Sequence, residues 1–335
     1  MKKILIIMLL FMLSISYAAF AGAGKEEKAE TKAKDKIIFG YASMGDTNAF
    51  HALVTQGMKA EFAKHDNYVL IVMDNNWDGE KVVENVDQLI LRGADVIMTG
   101  SSDSSVFPVL KQKSEESGVP IILTDMNIDD FYTFGGDSKI AGGIGGEWLA
   151  KMALEKWDGD VDLYIGLEYP TAGETNELRM KDGFIDHIRK HIDLPDDIIF
   201  RVAGNNDIAL SMQVTLDILT AHPEARHILV GNITDDCAQG ALAAAEQLGY
   251  TEDQILICGQ GLYDAVSAKN FLDPPNPWGA TVAYWPSRYG EFVFNILDAH
   301  FSDGKPMPRK WYVEHSLITR DNIREVMEMT GIEVD

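Results

Sequence analysis

From Lys36 onward the chain alternates short apolar runs with longer amphipathic stretches. KIIFGYAS (36–43), YVLIVMD (68–74), ADVIMTG (94–100) and VPIILTD (119–125) predict buried strands. Between them, 49–65 carries Leu53, Gly57, Ala60 and Phe62 near one face, and 79–92 turns Val82, Val83, Val86, Leu89 and Ile90 inward. These spacings, with a third stretch over 104–117, predict helices. Continuous β-branched runs joined by helices indicate parallel strands covered on both faces, the mark of a doubly wound α/β domain.

The rhythm then starts again. FGGDS (134–138) leads into a glycine-rich helix over 139–156, followed by strands at 161–169, 198–204, 226–232 and 254–261. Helices over 174–191, 207–221 and 236–248 alternate with them. ATVAYW (280–285) predicts a further strand, 286–300 a helix, WYVEHSLIT (311–319) a strand, and 321–329 a helical tail. Two open parallel sheets in series offer a ligand the cleft beyond their strand carboxyl ends.

The segment before Lys36 adds a location. Lys2 and Lys3 precede an apolar run, Ile4 to Ile15, and Ala19-Phe20-Ala21 closes it with small residues. This three-part layout predicts a signal peptide over 1–21, cleaved after Ala21, with release into the periplasm of a Gram-negative-type envelope. The run is short for a membrane span, and no Cys near the cleavage site invites a lipid anchor. Residues 22–35 are charged and poor in large apolar side chains, which predicts a flexible tether.

Loss of two leader lysines takes the formal charge from −23 to −25. So acidic a surface repels phosphate backbones and anionic lipids, which argues against nucleic-acid and membrane-surface partners. Only Cys237 and Cys258 are present; export permits a bridge between them, but bridge geometry is demanding and two separate thiols are expected. Asp74 to Gly79 matches the opening of a calcium loop, yet position twelve would be Asn85 rather than Glu, so no metal is expected there. No nucleophile–base pair, metal cluster or phosphate loop is recognisable, so neither an enzyme nor a cofactor is expected. Gly142-Gly143 and Gly145-Gly146 do not form a dinucleotide fingerprint and predict close helix packing instead.

Several motifs occur in a telling order: GDTNAFHALVTQGMKAEF, NVDQLILRGADVIMTGSSDSS, GVPIILTD, the D-x-x-x-x-G of Asp137 to Gly142, and LTAHPEARHILVGNITDDCAQGALAAAEQLG. Over nearly all of 36–325 the chain resembles the type I periplasmic binding proteins, in the ribose-binding-like branch that serves sugar ABC transporters. The resemblance implies two lobes, 36–137 with 285–313 and 138–284 with 314–335, joined by three hinge crossings near 137–138, 284–285 and 313–315. It also implies a small sugar-like ligand, closure of the lobes around it, and delivery to a membrane permease. A polyol, a furanose quorum signal or a nucleoside are the alternative ligands, a chemoreceptor an alternative receiver, and the receptor is expected to be a monomer. A sugar-responsive regulator shares the fold but would carry a DNA-binding domain where this chain has its export signal.

Carried over by position, the resemblance implies ligand contacts from Asn48, Phe50, His51, Ser101, Asp125, Met126, Arg179, Thr234, Asp235, Gln260 and Tyr284. An aromatic ring can pack on the C–H face of a sugar while flanking polar groups select hydroxyls; the alternative has Phe50 in the core and Asn48 as a helix cap. Asp125 ends its strand at the family's main carboxylate position, where an ionised group accepts hydroxyl protons, although it could instead cap a loop. Met126 stands where the ribose pattern has Arg. Arg179 is shifted by one residue from the family's Arg and could instead pair with Glu177 or Asp182. Asp235 falls on the family's acidic position with Thr234 in place of Asn before it, and either could cap the following helix. Gln260-Gly261 replaces an aromatic–Asp pair, and Tyr284 replaces Gln. These departures suit a deoxy sugar, a polyol or another small polar ligand. Trp278 and Trp285 could line the pocket or anchor the core.

Overall fold

Alternation within doubly covered strands builds the first half of the molecule. In β3 (Val96–Thr99), Val96 and Met98 face one core while Ile97 faces another, as successive strand side chains must. The first core joins Phe39 and Tyr41 to Val54, Met58, Tyr289 and Val293; the second joins Ala42 to Val86, Leu89, Phe107 and Leu110. The protein is described by a computed structural model covering residues 36–330 except 127 and 263–264, together with 332. The expected leader and tether lie outside the described residues.

The first sheet has the order β11-β5-β4-β3-β1-β2, all parallel. Its strands are β1 (Ile37–Ser43), β2 (Tyr68–Asp74), β3, β4 (Ile121–Thr124), β5 (Tyr132–Gly136) and β11 (Lys310–Val313). Helices α1 (Ala49–Phe62), α2 (Gly79–Leu91), α3 (Phe107–Ser117) and α9 (Tyr289–Phe301) cover it. The second sheet runs β12-β10-β9-β8-β6-β7, parallel except for the antiparallel pair β10–β12. It comprises β6 (Leu163–Glu168), β7 (Ile199–Ala203), β8 (Ile228–Asn232), β9 (Ile255–Gly261), β10 (Trp278–Ala283) and β12 (Ser316–Thr319). Around it lie α4 (Ser138–Trp157), α5 (which begins at Glu174–Arg179), α6 (Ile208–Ala221), α7 (Asp235–Leu248), α8 (Ala265–Leu272) and α10 (Ile323–Thr330).

The two-sheet α/β expectation holds, with three local differences. The run 311–319 is two strands: β11 joins the first sheet and β12 the second, with only Glu314 and His315 between. Helix α8 was not signalled by the spacing. Helix α5 widens into a π turn over Met180–Ile185 before its last turn, Asp186–Ile188.

That π turn lies against the glycine face of α4. A Cβ at Gly142 would overlap Arg179 O and reach within 3.0 Å of Gly183 Cα, and one at Gly145 would come within 2.5 Å of Phe184 Cε1. The glycines therefore let two helices touch backbone to backbone, as expected. Cys237 and Cys258 are separate buried thiols, also as expected.

Candidate ligand-binding site

Both sheets point strand ends at one cleft of about 210 Å³. From the first sheet come Asn48, Phe50 and His51 after β1, Trp77 after β2, and Asp125 and Met126 after β4; from the second come Tyr169, Arg179, Asn206, Thr234, Gln260 and Tyr284. Nine of the eleven residues expected from the sequence line it.

Asn48 holds two roles at once. Its Oδ1 accepts the N–H groups of Phe50 (2.9 Å) and His51 (3.4 Å), capping α1, while the residue borders the cleft. Phe50 then stands edge-on to His51 (5.4 Å) and to Tyr289 (5.8 Å), and His51 edge-on to Trp77 (5.2 Å). Burial holds the His51 imidazole below its ordinary value against the pull of Asp125, Asp46 and Asp74, which favours a neutral ring in this wall.

Asp125 adopts the left-handed conformation (φ +54°), which turns its carboxylate back across β5. Oδ1 accepts the Gly136 N–H (3.1 Å) and the Tyr289 hydroxyl (2.8 Å), and Oδ2 accepts the Thr124 hydroxyl (3.3 Å). Gly135 makes this possible, since a Cβ there would strike the carboxylate. The group is thus fixed in place and still faces the cleft. Burial, with the Asp125 charge beside it, pushes the Tyr289 phenol well up, so it remains a donor.

Arg179 reaches across the second half. Its Nη1 donates to Ile233 O (2.9 Å), its Nη2 to Ser138 Oγ (3.1 Å), and the guanidinium lies 5.0 Å from the Tyr284 ring centroid. Neither alternative ion pair forms: Glu177 engages Arg201 and Asp182 engages Lys181. Arg179 immediately precedes the π turn over 180–185, and its side chain borders the cleft. Tyr284 donates to Gln260 Oε1 (3.0 Å) and Gln260 Nε2 to Ala141 O (3.1 Å), a buried relay that sets the cleft floor.

Two expected residues do not reach the cleft. Asp235 is wholly buried: Oδ1 accepts the Thr281 hydroxyl (2.6 Å) and Oδ2 the Leu262 N–H (2.7 Å). Thr234 caps α7 and borders the cleft, and the next carboxylate, Asp236, faces it in place of Asp235. Ser101 is likewise buried, its Oγ accepting the Asp103 N–H (3.0 Å), and Ser102 borders the cleft instead. Trp278 and Trp285 belong to the core. Sequence reasoning missed Trp77, Tyr169, Asn206 and Asp236, although all four follow parallel strands, where the strand-end rule points. The calcium-like loop serves structure: Asp78 caps α2 and the buried Asn75 amide donates to Ala42 O, Thr99 Oγ1 and Gly100 O.

A periplasmic binding protein domain model matches residues 39–304. The chain belongs to the periplasmic binding protein family. Its two sheets and their connections are those of type I periplasmic binding proteins, a family of receptors rather than enzymes. The ribose import binding protein of Escherichia coli (strain K12) is 24% identical over 295 residues, 87% of this chain and 93% of that protein. The L-arabinose-binding periplasmic protein of the same organism is 25% identical over 273 residues, 76% of this chain and 80% of the relative. Among solved structures, a periplasmic ribose ABC transporter protein from Conexibacter woesei superposes with a TM-score of 0.73 at 17% identity, covering 88% of this chain and 95% of that one.

Proposed function

We propose that this periplasmic binding protein captures a small sugar between its two lobes and delivers it to an ABC transporter permease. One observation carries the reading: a single cleft sets an aromatic wall, Phe50, His51 and Trp77, against a fixed carboxylate, Asp125, and a fixed guanidinium, Arg179. That is the chemistry a sugar needs, with C–H faces on rings and hydroxyls shared between an acceptor and a donor. The ribose and arabinose receptors among its relatives support the same class. At about 210 Å³ the cleft is smaller than the roughly 300–1,000 Å³ typical of drug-sized ligands, which favours a monosaccharide over a nucleoside.

The lobes, 36–137 with 285–313 and 138–284 with 314–335, close about the three crossings when the ligand bridges them. Ligand shifts that equilibrium because only the closed state makes both sets of contacts. The receptor acts as a monomer in the periplasm after cleavage behind Ala21, and the closed form engages the permease.

A thermal-shift screen of residues 22–335 against sugars, polyols, nucleosides and amino acids tests the reading. A ligand that binds only the folded state raises the melting temperature by mass action. A hit among monosaccharides or their deoxy forms is the expected result. Hits confined to nucleosides or amino acids would overturn the sugar assignment while leaving the receptor role, and a polyol hit would move the ligand class.

A further inference from the structure

The two edge strands that open each sheet, β2 and β7, end in the same turn. After β2, Asn75 O accepts the Asp78 N–H (2.9 Å) around two left-handed residues, Asn76 (φ +51°) and Trp77 (φ +60°). After β7, Gly204 O accepts the Asp207 N–H (2.9 Å) around Asn205 (φ +52°) and Asn206 (φ +56°). Two successive positive φ values are the signature of a type I′ turn. In each case the following Asp caps a helix, α2 or α6, and the second left-handed residue borders the cleft.

The twins differ in one chemically decisive place. Asn tolerates the left-handed region because its short polar side chain bonds locally, whereas a bulky residue there is a true outlier. The second turn has Asn at that position and the first has Trp. A strained residue that persists points to a use for its side chain. The surroundings of Trp77 are shaped to receive it: Gly45 carries no side chain where a Cβ would overlap the indole, and His51 packs against it edge-on. Its Nε1–H is directed to Thr47 Oγ1 (3.3 Å), so the polar edge of the ring is turned to its own lobe. At 43% exposure the ring is nevertheless the most open member of the aromatic wall formed with Phe50 and His51.

We infer that Trp77 is a specificity-determining residue, held at a conformational cost so that its ring carbons close over an apolar edge of the ligand. Because the indole N–H is directed elsewhere, a hydroxyl meeting this surface loses its hydrogen bond to water without a replacement, and a methyl or deoxy carbon loses nothing. The receptor then prefers a sugar whose outer carbon is deoxygenated to the same sugar with a hydroxyl there. The inference rests on the sugar-receptor reading above and goes further by naming the edge that is read.

The test uses Trp77→Asn, which gives the first turn the Asn-Asn sequence of its twin. Isothermal titration with the pairs D-galactose/D-fucose and D-ribose/5-deoxy-D-ribose is run on wild type and variant, and the ligand-free melting temperature is measured for both. The expected result is a wild type that favours the deoxy member of a pair, a variant that binds it at least tenfold more weakly with that preference gone, and an unchanged or higher melting temperature. Affinity within twofold of wild type, or an unchanged deoxy preference, would overturn the inference while the receptor reading stands. A melting temperature clearly below wild type would also overturn it, because the indole would then be structural. If the wild type binds none of the four, the pair titrated is the monosaccharide found by the thermal-shift screen and its terminally deoxygenated form, read in the same way. No monosaccharide hit in that screen would defeat the monosaccharide reading itself, and the inference with it.

Discussion

Two aspartates, both expected in the site from sequence, separate by role at the residue scale. Asp125 is turned into the cleft by a left-handed backbone, and Asp235 is turned away into the bonds of Thr281 and Leu262. Hydrogen bonds to a charged group contribute about 1.5–3 kcal/mol, so Asp125→Asn is expected to weaken sugar binding roughly ten- to hundredfold. The amide keeps an oxygen for Gly136 and Tyr289, so urea unfolding should remain cooperative with a nearly unchanged midpoint. Asp235→Ala should do the reverse. It leaves a buried hydroxyl and a buried N–H without their acceptor, costing about 2–4 kcal/mol in urea, while intrinsic affinity in the folded fraction stays close to wild type. Paired titration and unfolding of the two variants would show this crossing, and loss of affinity from Asp235→Ala without loss of stability would return it to the site. The sequence located both residues near the cleft but could not orient them. One step along a helix turns a side chain by about 100°, and one step along extended chain reverses its face. Asp236 and Ser102 therefore replace their neighbours.

Periodicity was most informative at the scale of elements. The strand–helix alternation is readable because doubly covered parallel strands must be nearly continuous apolar runs, as β3 and β9 are. Periodicity alone does not show the split at Glu314-His315, since both halves carry strand-like residues and only their partners differ; the lobe boundary at 313–314 came from the family resemblance. The glycines of α4 were read correctly as packing positions, and the structure adds what they pack against. Gly142 faces the backbone of the residue that reaches the cleft, Arg179. An added methyl cannot be relieved by a side-chain rotation, because the atoms it meets are main chain. Overpacking of this kind costs about 1–3 kcal/mol, so Gly142→Ala should lower the urea midpoint accordingly. It should also weaken ligand binding, because α5 must move and the Nη1 bond to Ile233 with it. Gly249→Ala meets no neighbour but sits at φ +75°. It should lose about 1–2 kcal/mol through the strain of a side chain in the left-handed region with binding intact, which separates general destabilisation from displacement of Arg179. Equal affinities in the two variants would detach Arg179 from the ligand.

For the whole molecule, the three passages between the sheets meet at His315. Its Nε2 accepts the Asp137 N–H (2.9 Å), and its Nδ1, 3.2 Å from Ala283 O, carries the proton that this carbonyl accepts. Its ring stands edge-on to Tyr284 at 4.5 Å. One neutral imidazole thus ties the ends of β5 and β10 to the link between β11 and β12. Burial holds its pKa below the ordinary 6.5; the Ala283 bond and the Asp137 and Asp125 charges oppose this, and the Arg179 charge adds to it. Protonation would place an N–H on Nε2 directly against the Asp137 N–H, so the charged ring breaks the tie. The native state here binds fewer protons than the unfolded chain, and stability must fall as pH falls. The contribution is complete above about pH 6.5 and is lost as the pH drops through the lower native value. His51, also held low by burial, acts in the same direction. His315→Gln offers the same acceptor and donor without a titrating group. Urea midpoints from pH 8 to pH 5 should therefore fall less steeply for the variant below pH 6.5, with the remaining slope carried by His51 and the carboxylates. Identical slopes would mean that His315 keeps its native protonation state down to pH 5 or is already charged at pH 8, and a proton titration of its ring Cε1–H resonance would distinguish the two. Because the tie spans all three crossings, the same loss should appear as faster ligand release in acid, measured by stopped-flow displacement on wild type and variant side by side.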